Sequence, residues 1–146
     1  MSATGLEVFD TTLQKTHAWL GSLMKRLHTD DRHVAYLALR ATLHALRDRL
    51  SPELAVHLGA QLPMLVRGIY YEAWRMADTP SREHSVPELL DRIRAELPQD
   101  LAGRAEQCAR AVFLLLCEQI DEGEVRKVFS ALPRPLRELW PSGVAV

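Results

Sequence analysis

The sequence predicts an all-α protein, a tandem duplication of a four-helix unit with about eight helices in one compact domain. Apolar residues recur at helical spacing through most of the 146 residues. Capping residues, often followed by proline or glutamate, mark repeated helix starts. The chain also matches itself at a constant offset. The predicted halves are residues 6–76 and 85–141, joined by a polar connector at 77–84.

Four helices are predicted in the first half. The first ends before a Thr-Asp-Asp segment at 29–31, which can cap a second helix running to about Leu50. Ser51 and Pro52 supply the cap and the first turn of a third helix, which ends near residue 61. Pro63 cannot continue that helix but fits the first turn of a fourth.

The second half repeats this order. Ser85 and Glu88 form a capping-box pattern that restarts the helical series after the connector. A helix carrying Leu89 to Leu97 follows, then a long helical segment at 102–119. A second capping-box pattern at 121–124 and a last helix at 133–140 complete the half.

The two halves correspond at an offset of 70 residues. Ten identities occur without a gap over residues 20–70, at positions 20, 27, 30, 35, 40, 41, 46, 62, 63 and 67. A chain this rich in Leu, Ala and Arg would give roughly four by chance, so the pattern indicates an internal repeat.

One repeated segment has the pattern Leu-Pro-x-x-x-Arg-x-x-aromatic, at 62–70 and again at 132–140. A feature present in both halves is more often structural than catalytic, and the arginine head can reach a carboxylate or a helix C-terminus. The first half adds Tyr71 and Trp74, which the second half lacks. The candidate binding residues are therefore Arg67, Tyr70, Tyr71 and Trp74, with Tyr70 expected in the core and Tyr71 and Trp74 free for a partner.

The stretches around these segments resemble a bacterial family known as domain of unknown function 2267. The resemblance covers about residues 9–141, and the two Leu-Pro segments are its most specific marks. It implies an all-helical fold and brings no activity, catalytic residue or cofactor with it. One departure is the segment after Trp74, which reads Arg-Met-Ala-Asp-Thr-Pro where many members have Asp-Pro and a Gly-Lys turn.

No metal site, other cofactor or catalytic residue is predicted. The six histidines lack helical ligand spacing, and His44 is expected to pair with Asp48 at the surface. Cys108 and Cys117 lie in an apolar helical pattern and are expected to be buried, unpaired thiols. The seven glycines are isolated, so no phosphate-binding loop is expected.

Charged clusters are interpreted as structural. The carboxylates at 118, 121, 122 and 124 are expected to cap a helix start, and Arg40, Arg47 and Arg49 to form a solvated face. A net charge of -1 argues against nucleic-acid binding. The longest apolar run, 111–117, is too short for a membrane span, and a cytoplasmic location is expected.

These observations favour a non-enzymatic protein-interaction or scaffolding module of a bacterial cytoplasm. Its partner would be an unidentified protein or a second copy of the chain. The alternative is a small-molecule site, sensory or enzymatic, in a cleft between the halves near Arg67 and the tyrosines. DNA binding through a helix-turn-helix-like pair is a third hypothesis, which the balanced charge disfavours. The burial of Tyr70, Tyr71 and Trp74 distinguishes these hypotheses.

Overall fold

The computed structural model describes residues 2–144, which form helices and contain no β-strand. The α-helices are α1 (Glu7–Leu27), α2 (Arg32–Arg49), α3 (Pro52–Ala60), α4 (Met64–Tyr71), α5 (Val86–Arg94), α6 (Gln99–Ala102), α7 (Ala105–Gln119) and α8 (Glu122–Ala131). Two 3-10 helices span Met76–Asp78 and Arg134–Leu139. The all-α prediction is confirmed.

The predicted capping residues begin the helices as expected. The Asp31 side chain accepts a hydrogen bond from the backbone N–H of His33 at 2.9 Å, which caps α2. Ser51 caps α3. Ser85 and Glu88 form a reciprocal capping box at α5. Each cap satisfies a backbone N–H that the first helical turn leaves without a partner, so the sequence alone locates these starts.

Two predicted helix starts are displaced. Pro63 lies at the N-cap of α4 with a ψ of 154°, one residue before the first turn in which it was predicted. The long segment predicted from residue 102 is interrupted, because α6 ends at Ala102 and α7 begins only at Ala105. Arg104 between them leaves helical geometry, with a ψ of 18°, and its guanidinium donates to the carbonyl of Leu27 at the end of α1.

Helix bounds follow the 70-residue offset from the second helix onward. Helices α2 and α7 end at 49 and 119, α3 and α8 begin at 52 and 122, and α4 and the second 3-10 helix begin at 64 and 134. The contacts follow the same correspondence. Helices α2 and α7 pack on each other, α1 packs on α7, α5 packs on α2, and α3 packs on α8. These matches support the proposed duplication, which stays a prediction until the halves are superposed.

The first helix of each half differs most in length. Helix α5 begins at Val86, which corresponds to residue 16, whereas α1 begins at Glu7. The extra turns of α1, residues 7–15, lie against the start of α4, where the N–H of Leu65 donates to Thr12 Oγ1 at 3.3 Å. This extension has no α-helical counterpart at residues 77–85 and forms one wall of a surface groove.

The predicted connector is tied to the end of α2. The N–H of Ser81 donates to the carbonyl of Asp48 at 2.7 Å, and Arg49 donates to the carbonyl of Glu83 at 2.8 Å. Ser81 is itself buried, so the polar composition of this segment reflects hydrogen bonding to the helix rather than full solvation. Within residues 2–144, no helix is both long and apolar enough to cross a bilayer.

Candidate functional site

Arg67 lies across the C-terminal end of α3. Its Nε donates to the carbonyl of Gly59 at 3.0 Å, and its Nη2 donates to the carbonyl of Leu62 at 2.9 Å. Arg137 makes the matching bond in the second half, from its Nε to the carbonyl of Leu132 at 3.1 Å. A guanidinium at this place satisfies carbonyls that the helix end leaves without a partner and opposes the negative end of the helix dipole. The repeated arginine is therefore a helix cap.

Tyr70 is fully buried. Its hydroxyl donates to the carbonyl of Ala55 at 2.7 Å, and burial raises the pKa of the phenol far above its ordinary value. Trp140, at the matching position, is also buried and stacks on Phe113 with ring centroids 4.6 Å apart. The last aromatic of the repeated pattern is therefore core in both halves, and Tyr70 is not accessible to a ligand.

Tyr71 and Trp74 are half-buried and pack beside Tyr70. The Tyr71 ring meets the Tyr70 ring edge to face at a centroid distance of 5.0 Å and lies 5.6 Å from the Trp74 ring. The structure thus brings three of the four predicted binding residues into one aromatic cluster. Arg67, by contrast, lines a different surface. Tyr71 and Trp74 are packed against the core rather than presented as a flat exposed patch.

Gly59 leaves the space that the Tyr71 ring occupies. A Cβ at Gly59 would lie 2.3 Å from the Tyr71 hydroxyl oxygen and 2.7 Å from the ring carbon that bears it. We expect Gly59→Ala to displace this ring and to lower the free energy of unfolding by about 1–3 kcal/mol, as overpacking does.

Gly68, in α4, provides the matched control for this substitution. A Cβ at Gly68 meets nothing within 4 Å, so Gly68→Ala should instead stabilise by about 0.5–1 kcal/mol through helix propensity. Urea denaturation curves of both variants measure the difference. Equal effects of the two alanines would show that Tyr71 does not rest on Gly59.

Arg47 is buried in the structure, whereas the sequence predicts it on a solvated face. Only 3% of its surface is exposed. Its Nη1 donates to the carbonyls of Tyr70 and Glu72, each at 2.7 Å, and its Nε donates to Asp48 at 2.8 Å. The prediction of a solvated arginine face is therefore wrong for Arg47, because α4 and the turn that follows it cover this part of α2. Arg47 holds the end of α4 in place.

His44 also differs from its predicted setting. It is buried, and its Nε2 lies 2.7 Å from the carbonyl oxygen of Ile69 while its Nδ1 lies 2.9 Å from Glu96. The predicted surface pair with Asp48 is wrong, because Asp48 accepts from Arg47 and Arg92 instead. A signal for this was present: positions 40, 44 and 47 fall on one face of α2, among alanines and leucines that must be covered.

The prediction for the cysteines is confirmed in part. Both are free thiols; Cys108 is fully buried, whereas Cys117 is partly exposed, so the prediction of burial is wrong for Cys117. Burial raises the pKa of both thiols, and the Glu118 carboxylate raises the pKa of Cys117 further. Cys117 packs against the edge of the core and also lines a small surface cavity.

Thiol alkylation should reflect this difference. We expect iodoacetamide to label Cys117 slowly in the folded protein and Cys108 only after unfolding. Because the thiolate is the reactive form, the raised pKa of Cys117 should shift its rate profile to higher pH than that of a free cysteine. Mass spectrometry of timed samples measures both rates. Rapid labelling of Cys108 in the folded protein would contradict its buried position.

Two surface cavities distinguish the halves. A groove of about 910 Å³ lies between the extension of α1 and the α3–α4 junction, and its wall includes Arg67. A smaller cavity of about 300 Å³ lies in the second half, beside Cys117 and the turn that follows the last 3-10 helix. The groove is bordered by exposed apolar side chains from α1 and α4.

A family model described as "Uncharacterized conserved protein (DUF2267)" matches residues 16–139. The chain belongs to this family. The DUF2267 match runs from the middle of α1 to the last residue of the second 3-10 helix, so it includes both arginine caps and Tyr70 and ends one residue before Trp140. The extension of α1 at 7–15 precedes the matched span. A comparison with curated proteins finds no match.

Proposed function

We propose that this DUF2267 member is a non-enzymatic protein-interaction module that associates with a second copy of itself through the groove beside α1. The observation that carries the proposal is the distribution of exposed apolar side chains. Seven large ones are exposed in residues 2–144, and three of these line this groove: Leu6, Val8 and Met64. We name these three residues the α1–α4 patch. Contiguous exposed apolar surface of this kind is typical of interaction sites.

Two charges on α1 give the patch a self-complementary form. Glu7 and Lys15 both line the groove, and Thr11 lies midway between them. Eight residues of helix place the two charges about 12 Å apart along the axis. An antiparallel pairing of two α1 helices about a two-fold axis near Thr11 places Glu7 of each copy opposite Lys15 of the other. Such a contact buries both patches and pairs the charges at its rim.

The polar groups near the candidate site support a binding role over a reaction centre. The guanidinium of Arg67 donates to carbonyls of its own half, and Tyr70 is inside the core. These residues would orient a small molecule only by giving up bonds that hold α3 and α4 together. The small-molecule alternative at this segment is therefore less well supported. The proposal extends to scaffolding in a bacterial cytoplasm, where the closed two-fold dimer would be the unit that other proteins bind.

Sedimentation equilibrium of charge variants tests the proposed interface. Glu7→Lys or Lys15→Glu alone should weaken self-association, because each places like charges opposite one another in the pair. The double reversal should restore it, since opposite charges then face each other again. Met64→Glu should abolish association by placing a charge within the α1–α4 patch.

Met76→Glu is the matched control for the substitution at Met64. Met76 is 53% exposed and lies outside the groove, so this variant should associate like the parent. A parent chain that stays monomeric, or a double reversal that fails to restore association, would exclude the proposed pairing of copies. Far-UV circular dichroism of each variant shows that the helices are retained.

A further inference from the structure

The correspondence between the halves continues beyond the second 3-10 helix. Residues 71–74 and 141–144 both form a turn whose third residue has a positive φ, 57° at Ala73 and 99° at Gly143. The first half reaches this turn from an α-helix that ends at Tyr71, and the second reaches it from a 3-10 helix that ends at Leu139 and an extended Trp140. The two turns also carry different side chains. Residues 70 positions apart nevertheless occupy comparable places in the two halves.

Three positions that carry large side chains in the first half carry smaller side chains in the second half. Arg47 corresponds to Cys117, Tyr71 to Pro141 and Trp74 to Val144. All three second-half residues line the cavity of about 300 Å³, together with Leu114, Val125 and Arg126. The cavity thus occurs where the second half lacks the guanidinium, the phenol and the indole of the first.

One of the three missing groups is replaced from another position. The Phe129 ring meets the Trp140 ring edge to face at 6.3 Å, as Tyr71 meets Tyr70 in the first half. Phe129 corresponds to Gly59, whose missing side chain makes room for Tyr71. The ring lost at Pro141 is therefore supplied by α8. No such replacement is found among the described residues for the indole of Trp74 or the guanidinium of Arg47.

We propose that this cavity binds a small, neutral, planar ring compound of about the size of indole that carries an N–H donor. Leu114, Val125 and Val144 give it apolar walls, which a ring can cover. At its edge Glu122 and Arg126 form an ion pair at 3.2 Å, so their charges offset each other and favour an uncharged ligand.

The N–H donor follows from the backbone of the first half. There Arg47 donates to the carbonyls of Tyr70 and Glu72. Of the corresponding second-half residues, Trp140 and Ser142, Ser142 lines the cavity. The Cys117 side chain is too short to make the equivalent bonds. A ligand N–H beside Cys117 can supply one of them, and this bond would set the orientation of the ring.

Titration of the intact chain with indole tests the proposal. We expect shifts of the amide resonances of Gly143 and Val144 and slower alkylation of Cys117, with Cys108 as an internal control. Val144→Trp should fill the cavity as Trp74 does in the first half and should abolish both effects. Val56→Trp, on the exposed face of α3 and outside both the groove and the cavity, adds the same side chain elsewhere and should leave indole binding unchanged.

Two further measurements test the orientation and the comparison between halves. Benzofuran, which has the shape of indole but no N–H, should bind about fivefold more weakly. Trp74→Val should create a second cavity in the first half, and indole should raise the melting temperature of this variant more than that of the parent. The proposal is overturned if indole changes neither the amide shifts nor Cys117 alkylation up to its solubility limit, or if Val144→Trp binds indole like the parent.

Discussion

Arg47→Met is expected to lower the free energy of unfolding by about 3–5 kcal/mol. Methionine retains much of the aliphatic stem, so the substitution mainly removes the guanidinium. The carbonyls of Tyr70 and Glu72 then lose a buried donor, and Asp48 loses one of its two arginine partners. Buried acceptors without a partner carry their full desolvation cost, which is why the effect should be large. Chemical denaturation of the folded chain measures it.

Arg49→Met is the matched control. Arg49 lies two residues farther along α2 and is only partly buried, with a bond from its Nε to the carbonyl of Glu83 at 2.8 Å. Its loss should cost about 1 kcal/mol, the ordinary contribution of one hydrogen bond. If the two variants unfold at the same denaturant concentration, Arg47 does not hold the end of α4 as described.

Tyr70→Ala is expected to destabilise the fold by about 3–5 kcal/mol, as truncation of a large aromatic residue in a core does. The ring is fully buried and contacts α3 through the bond from its hydroxyl to the carbonyl of Ala55. Tyr70→Phe separates the two contributions. Phenylalanine keeps the ring and removes only the hydroxyl that donates to the Ala55 carbonyl. This variant should therefore lower the free energy of unfolding by about 1–3 kcal/mol. Thermal and urea unfolding of both variants give the comparison.

Tyr71→Ala serves as the control at the neighbouring position. Tyr71 is half-buried, so its folded ring removes less apolar surface from water than the ring of Tyr70 does. This substitution should cost clearly less stability than Tyr70→Ala. If Tyr71→Ala unfolds the protein while Tyr70→Ala melts like the parent, the buried face of α4 carries Tyr71 and not Tyr70.

Much of the fold was predictable because its signals are local. A capping side chain acts on a backbone N–H two or three residues away, so Asp31, Ser51 and Ser85 can be recognised without tertiary structure. The repeated arginine was also interpretable, since a helix C-terminus eight residues earlier is within reach of its side chain. These interactions depend on sequence distance alone.

The errors concern residues whose surroundings come from distant parts of the chain. Arg47 and His44 were expected at the surface, but α4 and the segment after α5 cover that face of α2. Their partners are 23 to 52 residues away along the sequence. The apolar residues around them indicate that this face of α2 is covered, but periodicity does not tell which distant segment covers it or which groups pair with the two side chains.

The sequence by itself determined the all-α class, the helix starts that carry a capping side chain and the 70-residue correspondence, because these depend on local backbone chemistry and on comparison of the chain with itself. Only the tertiary structure decided which aromatic residues are accessible and where the cavities lie. Tyr70 and Tyr71 are adjacent in sequence, yet one is core and the other rests on Gly59. The physical reason is that burial depends on which distant helix covers each face, and packing volume is a property of all the neighbours together.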